Sequence, residues 1–367
     1  MQERALAERL ITYDTSTLDG IKAAAGFVKG WLESHEIEVK DGTVHDLPVL
    51  AATVGPESGP TIVLHGHIDV VPGRPEQFEP RIEADRLVGR GAYDMKGGLA
   101  GMMCALRDLA SQTDVRVHFV CVSDEESDEP WEERGSDYVV EKGYVGDFAI
   151  TGEPTDLRIG VESKGVLALR LEVAGRSAHG STPWEGDNAV LKAVDAFRSI
   201  QAMPFAREAS ELFDRPSISL GRIAGGDRMN KVPDRCVVDV DIRYLPGQDA
   251  DGILEQIDAL PDVSVEVVFR RAPAIVARDE PHVRALADTV ARWTPEDRIS
   301  IGRDGASDAN SFLDAGVPAV EFGPIGGGHH GPEEWVSISS LERYRQALVD
   351  FVNVFPKRLG AAHLRIA

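Results

Sequence analysis

Apolar residues recur along this chain with two periods, and the switch between them marks its organisation. Residues 2–12 and 21–35 carry apolar positions at helical spacing. VLAATV (49–54) and TIVLHG (61–66) are short runs of the strand type, and a turn-rich segment with Pro72, Gly73 and Pro75 follows. Residues 97–111 predict a helix, because Leu99, Met102, Met103, Leu106 and Leu109 fall on one face. VRVHFVCV (115–122) is nearly unbroken in apolar character, as are strands covered on both faces of a parallel sheet. A helix near 133–142 and the strand FAIT (148–151) come next. Strands alternating with helices predict an α/β domain, a mainly parallel sheet flanked by helices.

Near residue 165 the pattern changes. VLALRLEVAG (166–175) alternates with period two, and Asp187 can cap a helix over 188–202. SISLGRIA (217–224) and CVVDVDIRYL (236–245) read as strands; a helix near 250–259 and the strand VSVEVVF (263–269) close the segment. The order β-α-β-β-α-β predicts a ferredoxin-like α+β unit over 165–273. It is inserted into the first domain, which then comprises 1–164 and 274–367. From about 280 the α/β pattern resumes with a helix (281–293), the strand RISIG, a helix from Ser307, the strand VPAVEFG and a closing helix (340–355).

Composition narrows the function classes. The chain has 367 residues, 43% hydrophobic and 27% charged, which is globular in character. A formal net charge of -22 repels nucleic acid and anionic lipid, so neither is expected as a partner. Cys104, Cys121 and Cys236 lie far apart with no pairing motif, which predicts buried free thiols in a reducing compartment. The start, MQERALAERLITYDTST, is charged and amphipathic, unlike a signal peptide. No apolar run approaches the ~20 residues that span a bilayer. A cytoplasmic location is expected.

The candidate chemistry lies where predicted strands end. His67 and Asp69 in LHGHID, Asp94 in GAYDMKGG, Glu125 and Glu126 in VSDEES, Glu153 in TGEP and a histidine in GGGHHGPEEW all sit just after β runs or in adjoining turns. Ligands of open α/β sheets gather outside those strand ends. Imidazole nitrogen and carboxylate oxygen are zinc donors. Asp69, two residues from His67, can accept its second ring N–H and fix the tautomer. Taken singly, each has a plainer reading: a surface His with a turn Asp, a helix-capping Asp94, a solvated charge run at Glu125-Glu126, a turn Glu153. Adjacent carboxylates after a buried strand can also divide the labour, one binding metal and the other free as a general base.

The motifs GHIDVVPG, GRGAYDMKGG, SDEES, TGEPT, SAHGSTPWEGDNAV, NKVPDRC, GASDAN and HHGPEEWV, in that order, resemble the M20 metallopeptidases. That family includes acetylornithine deacetylase, succinyl-diaminopimelate desuccinylase, aminoacylase-1 and glutamate carboxypeptidase. The resemblance implies a dinuclear-metal, exopeptidase-like catalytic domain with an inserted lid and dimerisation domain. It implies two Zn2+ ions, with Co2+ or Mn2+ as substitutes. His67 and Glu153 would hold one, Glu126 and His330 the other, and Asp94 would bridge them. Glu125 would be the general base and acid, and Asp69 would orient His67. The family's spacing of His, three residues, Glu, aromatic, Val matches His330 to Glu334-Trp335-Val336 and so implies His330 over His329, and its GHxD register implies His67 over His65. The Asp94–Met95 peptide would be cis. His179 would reach into a partner's active site in a homodimer, and Asn230 and Arg243 would meet substrate. The substrate would be a small N-acyl amino acid or short peptide. Desuccinylases carry Arg near Ser163-Lys164 and Thr near Ala306, and this chain differs at both.

Parts of the sequence also fit two other readings. His65-Gly66-His67 mimics the paired histidines of TIM-barrel amidohydrolases, although the chain lacks eight continuous β/α repeats. A non-catalytic metal-binding protein on the same scaffold is the second.

Overall fold

The computed structural model describes residues 2–127, 133–294 and 300–363. The chain forms two compact units: Met1–Val161 with Val276–Ile301 and Ser307–Ala367, and Glu162–Ile275 with Gly302–Ala306.

The first unit is built on an eight-stranded sheet. From one edge its strands are Val39–Val44, Leu47–Val54, Arg116–Val122, Thr61–His67, Phe148–Thr151, Ala319–Glu321, Ile159–Ser163 and Ser300–Arg303. The four from Arg116–Val122 to Ala319–Glu321 run parallel, and antiparallel neighbours flank them. The parallel strands are buried along nearly their whole length, in keeping with their unbroken apolar character. The sheet is open, with Val39–Val44 and Ser300–Arg303 at its edges, so it is not the closed barrel of the amidohydrolases.

Gly97–Leu109 is the expected helix, but it is buried on every side rather than on one face. The helices Gln2–Ile11 and Ile338–His363 pack over the side it turns away from the sheet. A small second sheet orders Gly326–Gly327, Trp335–Ser337, Arg86–Val88 and Arg81–Glu83 side by side.

In the second unit four antiparallel strands lie in the order Ser217–Gly225, Arg235–Tyr244, Gly165–Ala174, Val263–Arg271. With the helices Ala189–Ala202 and Ala250–Asp258 this is the expected ferredoxin-like arrangement. Leu167, Leu169, Leu171 and Val173 face a core shared with Val238, Val240, Ile242, Ala193, Ile253 and Ile257. The first helix is capped by Asn188, not Asp187. The Asn188 side chain accepts the N–H groups of Val190 and Leu191 at 3.0 and 3.3 Å, while Asp187 holds Lys192 at 2.7 Å. Residues 302–306 join this unit unexpectedly. Gly302 lies against the Phe213 ring, and Asp304 holds the Lys164 ammonium at 2.7 Å. The first two residues of RISIG fall outside the described residues.

Cys104, Cys121 and Cys236 are buried free thiols. Among the described residues no helix is long and apolar enough to cross a membrane.

Candidate metal centre

Three adjacent parallel strands deliver the first donors. His67 ends Thr61–His67 and is paired in register with Val122, while His65 is paired with Thr151. The chain beyond Val122 therefore brings Glu125 and Glu126 to one side of His67, and the chain beyond Thr151 brings Glu153 to the other. Asp94 comes from the turn before Gly97–Leu109, where the Asp94–Met95 peptide is cis. That turn sits close to the Glu153 strand end because position 98 has no side chain. A Cβ on Gly98 would lie 2.3 Å from the Gly152 carbonyl oxygen.

His67 Nε2 lies 3.1 Å from Asp94 Oδ1 and 3.7 Å from Glu153 Oε1. His330 Nε2 lies 2.9 Å from Glu126 Oε1 and 3.4 Å from Asp94 Oδ2. Asp94 thus touches both histidines, one through each oxygen. His329 also reaches Asp94 Oδ2 through its Nε2. Donor atoms of His67, Asp94 and Glu126 lie within 4.8 Å of one another, as do those of Asp94, His329 and His330. His67 is fully buried, and Asp94 and Glu153 are 6% and 5% exposed.

The electrostatics follow from crowding. Burial pulls the His67 pKa down, but the neighbouring Asp69, Asp94 and Glu153 carboxylates outweigh it and hold the ring well above its usual range. Hydrogen bonds to Asp94 and Glu126 raise His330 to about 10. Burial would raise Asp94, yet His329, His330 and His67 hold it well below the carboxylate range. Glu153 is pushed well above that range by burial and then by the charge of Asp94. Glu125 is pushed up mainly by its removal from water; His67 opposes this, and Asp308, Glu126 and Asp94 add to it.

For His67 the nearer acceptor on Asp69 is the backbone carbonyl, not the carboxylate expected from the spacing. His67 Nδ1 is 3.1 Å from the Asp69 backbone carbonyl and 3.5 Å from its carboxylate. The other carboxylate oxygen accepts the Glu126 backbone N–H at 2.8 Å, so Asp69 ties the His67 strand to the Glu126 turn.

These residues fit a divalent cation. Tetrahedral zinc with donors at 2.0–2.2 Å sets those donors about 3.3–3.6 Å apart, close to the separations here. Glu153 Oε1 is buried without a hydrogen-bond partner. The imidazole protons shared with the carboxylates are the ones a metal displaces on binding.

The remaining candidates lie in the second unit. His179 is exposed, and its Nδ1 accepts the Ser181 backbone N–H at 3.2 Å. The neutral ring then carries its proton on Nε2. Asn230 lies beside it, its carbonyl accepting the Gly180 N–H at 2.7 Å. Arg243 is forked onto Asp241 at 2.8 and 3.0 Å. Sequence reasoning missed Glu334 as a functional element. Its carboxylate accepts the N–H groups of Gly91, Tyr93 and Asp94, each at 3.0 Å.

Residues 63–354 match the sequence pattern of peptidase family M20/M25/M40. A succinyl-diaminopimelate desuccinylase from Stenotrophomonas maltophilia is 31% identical over 319 residues, covering 80% of this chain and 83% of its own. One from Xanthomonas oryzae pv. oryzae is 30% identical over 350 residues, 89% of each chain. Two crystal structures share the fold. A tripeptidase from Staphylococcus aureus superposes with a TM-score of 0.79 at 20% identity, covering 96% of this chain and 97% of its own. An M20 metallo-carboxypeptidase from Sulfolobus solfataricus gives 0.78 at 18% identity, covering 97% and 99%. With the family pattern running from the first metal-type histidine almost to the end of the last helix, the chain belongs to peptidase family M20/M25/M40.

Proposed function

We propose that the chain hydrolyses an amide bond in a small N-acyl amino acid or short peptide, using two divalent cations. Zinc is the first choice, and Co2+ or Mn2+ suits the same donors. The observation that carries this reading is Asp94 touching His67 through one oxygen and His330 through the other. A carboxylate so placed can be shared by two ions. His67 and Glu153 would hold one, and Glu126 and His330 the other.

Bound cations would polarise the scissile carbonyl and acidify water. Glu125, the carboxylate left over, takes the proton of the attacking water. Its raised pKa suits a group that must accept that proton and then hand it to the leaving amine. Asp69 keeps the His67 ring in place. His179, contributed by a second copy of the chain, donates its Nε2 proton to the carbonyl oxygen as negative charge gathers there. Asn230 and Arg243 meet the substrate, Arg243 by exchanging Asp241 for a substrate carboxylate.

The test is a substrate panel. The purified protein, stripped with a chelator and reloaded with Zn2+, is offered N-acetyl, N-succinyl and N-carbamoyl amino acids and dipeptides. At least one class is hydrolysed, and chelation abolishes the activity. Turnover that survives chelation contradicts the proposal.

A further inference from the structure

Arg90 and Glu334 form an ion pair at 2.8 Å, with 4% and 1% exposure. A buried pair of this kind is a poor source of stability, since desolvation offsets most of the attraction. What this pair touches is more telling. One Glu334 oxygen accepts the N–H groups of Tyr93 and Asp94, and the other accepts those of Gly91 and Arg90. The backbone of the turn that presents Asp94 is thus gathered onto one carboxylate. The second terminal nitrogen of Arg90 donates to the His330 carbonyl at 3.2 Å. His330 itself stands at φ 57°, in the left-handed region that is uncommon for a residue with a side chain.

We infer that the Arg90–Glu334 pair is a positioning device that locks the turns bearing Asp94 and His330 into one donor set. The inference rests on the reading that those two residues hold cations. Neither Arg90 nor Glu334 touches the reacting atoms; they act through the backbone of residues that do. A carboxylate is needed because it accepts four hydrogen bonds with no donor of its own. Glutamine at 334 would turn an amide N–H toward the Gly91 N–H and the Arg90 guanidinium, donor against donor.

The experiment compares Zn2+ affinity, by competition with a chromophoric chelator, with melting temperature in the wild type, Glu334→Gln and Arg90→Lys. Glu3→Gln is the control, because Glu3 is equally buried and pairs with Arg345. The inference predicts a roughly 10–100-fold loss of affinity in Glu334→Gln, as for loss of a partner that orients metal ligands. Glu3→Gln loses melting temperature at unchanged affinity. If Glu334→Gln melts lower yet binds Zn2+ like wild type, the pair is merely structural and the inference fails. If Glu334→Gln does not fold, Arg90→Lys decides. It keeps the positive charge but gives up the nitrogen that reaches His330, so wild-type affinity there overturns the inference. A wild-type chain that takes up no cation overturns the metal reading itself, a result distinct from any difference between variants.

Discussion

His330 Nε2 lies 2.9 Å from a carboxylate oxygen of Glu126, although the two are 204 positions apart along the chain. Glu126 follows a central strand, and His330 sits in a glycine-rich loop held by the small second sheet. Its neighbour His329 reaches only Asp94 among the candidate donors, whereas His330 reaches both Asp94 and Glu126. His330→Ala therefore weakens binding of the second cation by more than the roughly 10–100-fold typical of an outer partner. His329→Ala weakens it less. Titration of Zn2+ into each variant checks the order.

Glu125→Gln keeps both cations and loses about 10²–10⁴-fold in kcat, the usual worth of a general acid–base group. Metal content by elemental analysis and steady-state rates on the same sample separate the two effects. Loss of metal together with rate would move Glu125 into the ligand set.

His118 sets a pH dependence of stability away from the site. It is buried, accepts or donates to Thr53 at 2.8 Å, and is lowered to about 4 by burial and then by Arg116. In the unfolded chain a histidine titrates near 6.5. Above that pH both states are neutral and the folded state is unpenalised. As pH falls from about 6.5 to about 4 the unfolded chain binds a proton that the folded chain refuses, so stability drops, by about 3 kcal/mol in all for this one group. Urea unfolding between pH 7 and 4.5 shows a shallower fall in His118→Gln than in wild type.

The second unit offers a surface for self-association. Ser217–Gly225 is an edge strand exposed along almost its whole length, with Leu220 and Ile223 37% and 39% exposed, and Leu191 on the adjacent helix is 63% exposed. Such an edge is a template for pairing with another chain. A homodimer is the expected result by sedimentation, shifted to monomer by Leu191→Glu with Leu220→Lys. Activity should fall as the dimer is lost, because His179 then no longer reaches the partner's site.

The central strands of the sheet were legible, though not their order, because they are continuous apolar runs, such as Val117, Phe119, Val120 and Val122 around His118. Strand ends then brought His67, Glu125, Glu126 and Glu153 forward as candidates, and the resemblance assigned their separate roles. The small second sheet was not legible. Gly326–Gly327 has two residues, and Arg81–Glu83 is exposed throughout, so neither carries an apolar period. Glu334 was hidden for a related reason. In the sequence it serves only to set the register of His330, and the return of Trp335–Ser337 to the Arg86–Val88 strand is what buries it against Arg90. The cap of Ala189–Ala202 was displaced by one residue because Asp187 and Asn188 are both good caps, and Lys192 engages the charged one.

The central claim is that His67, Asp94, Glu126, Glu153 and His330 surround two cations. Anomalous diffraction at the zinc edge from crystals of the Zn2+-loaded protein tests it directly. Two peaks about 3.5–4 Å apart, with Asp94 between them and Glu125 touching neither, are expected. A single peak elsewhere on the chain, or none among these five side chains, would contradict it.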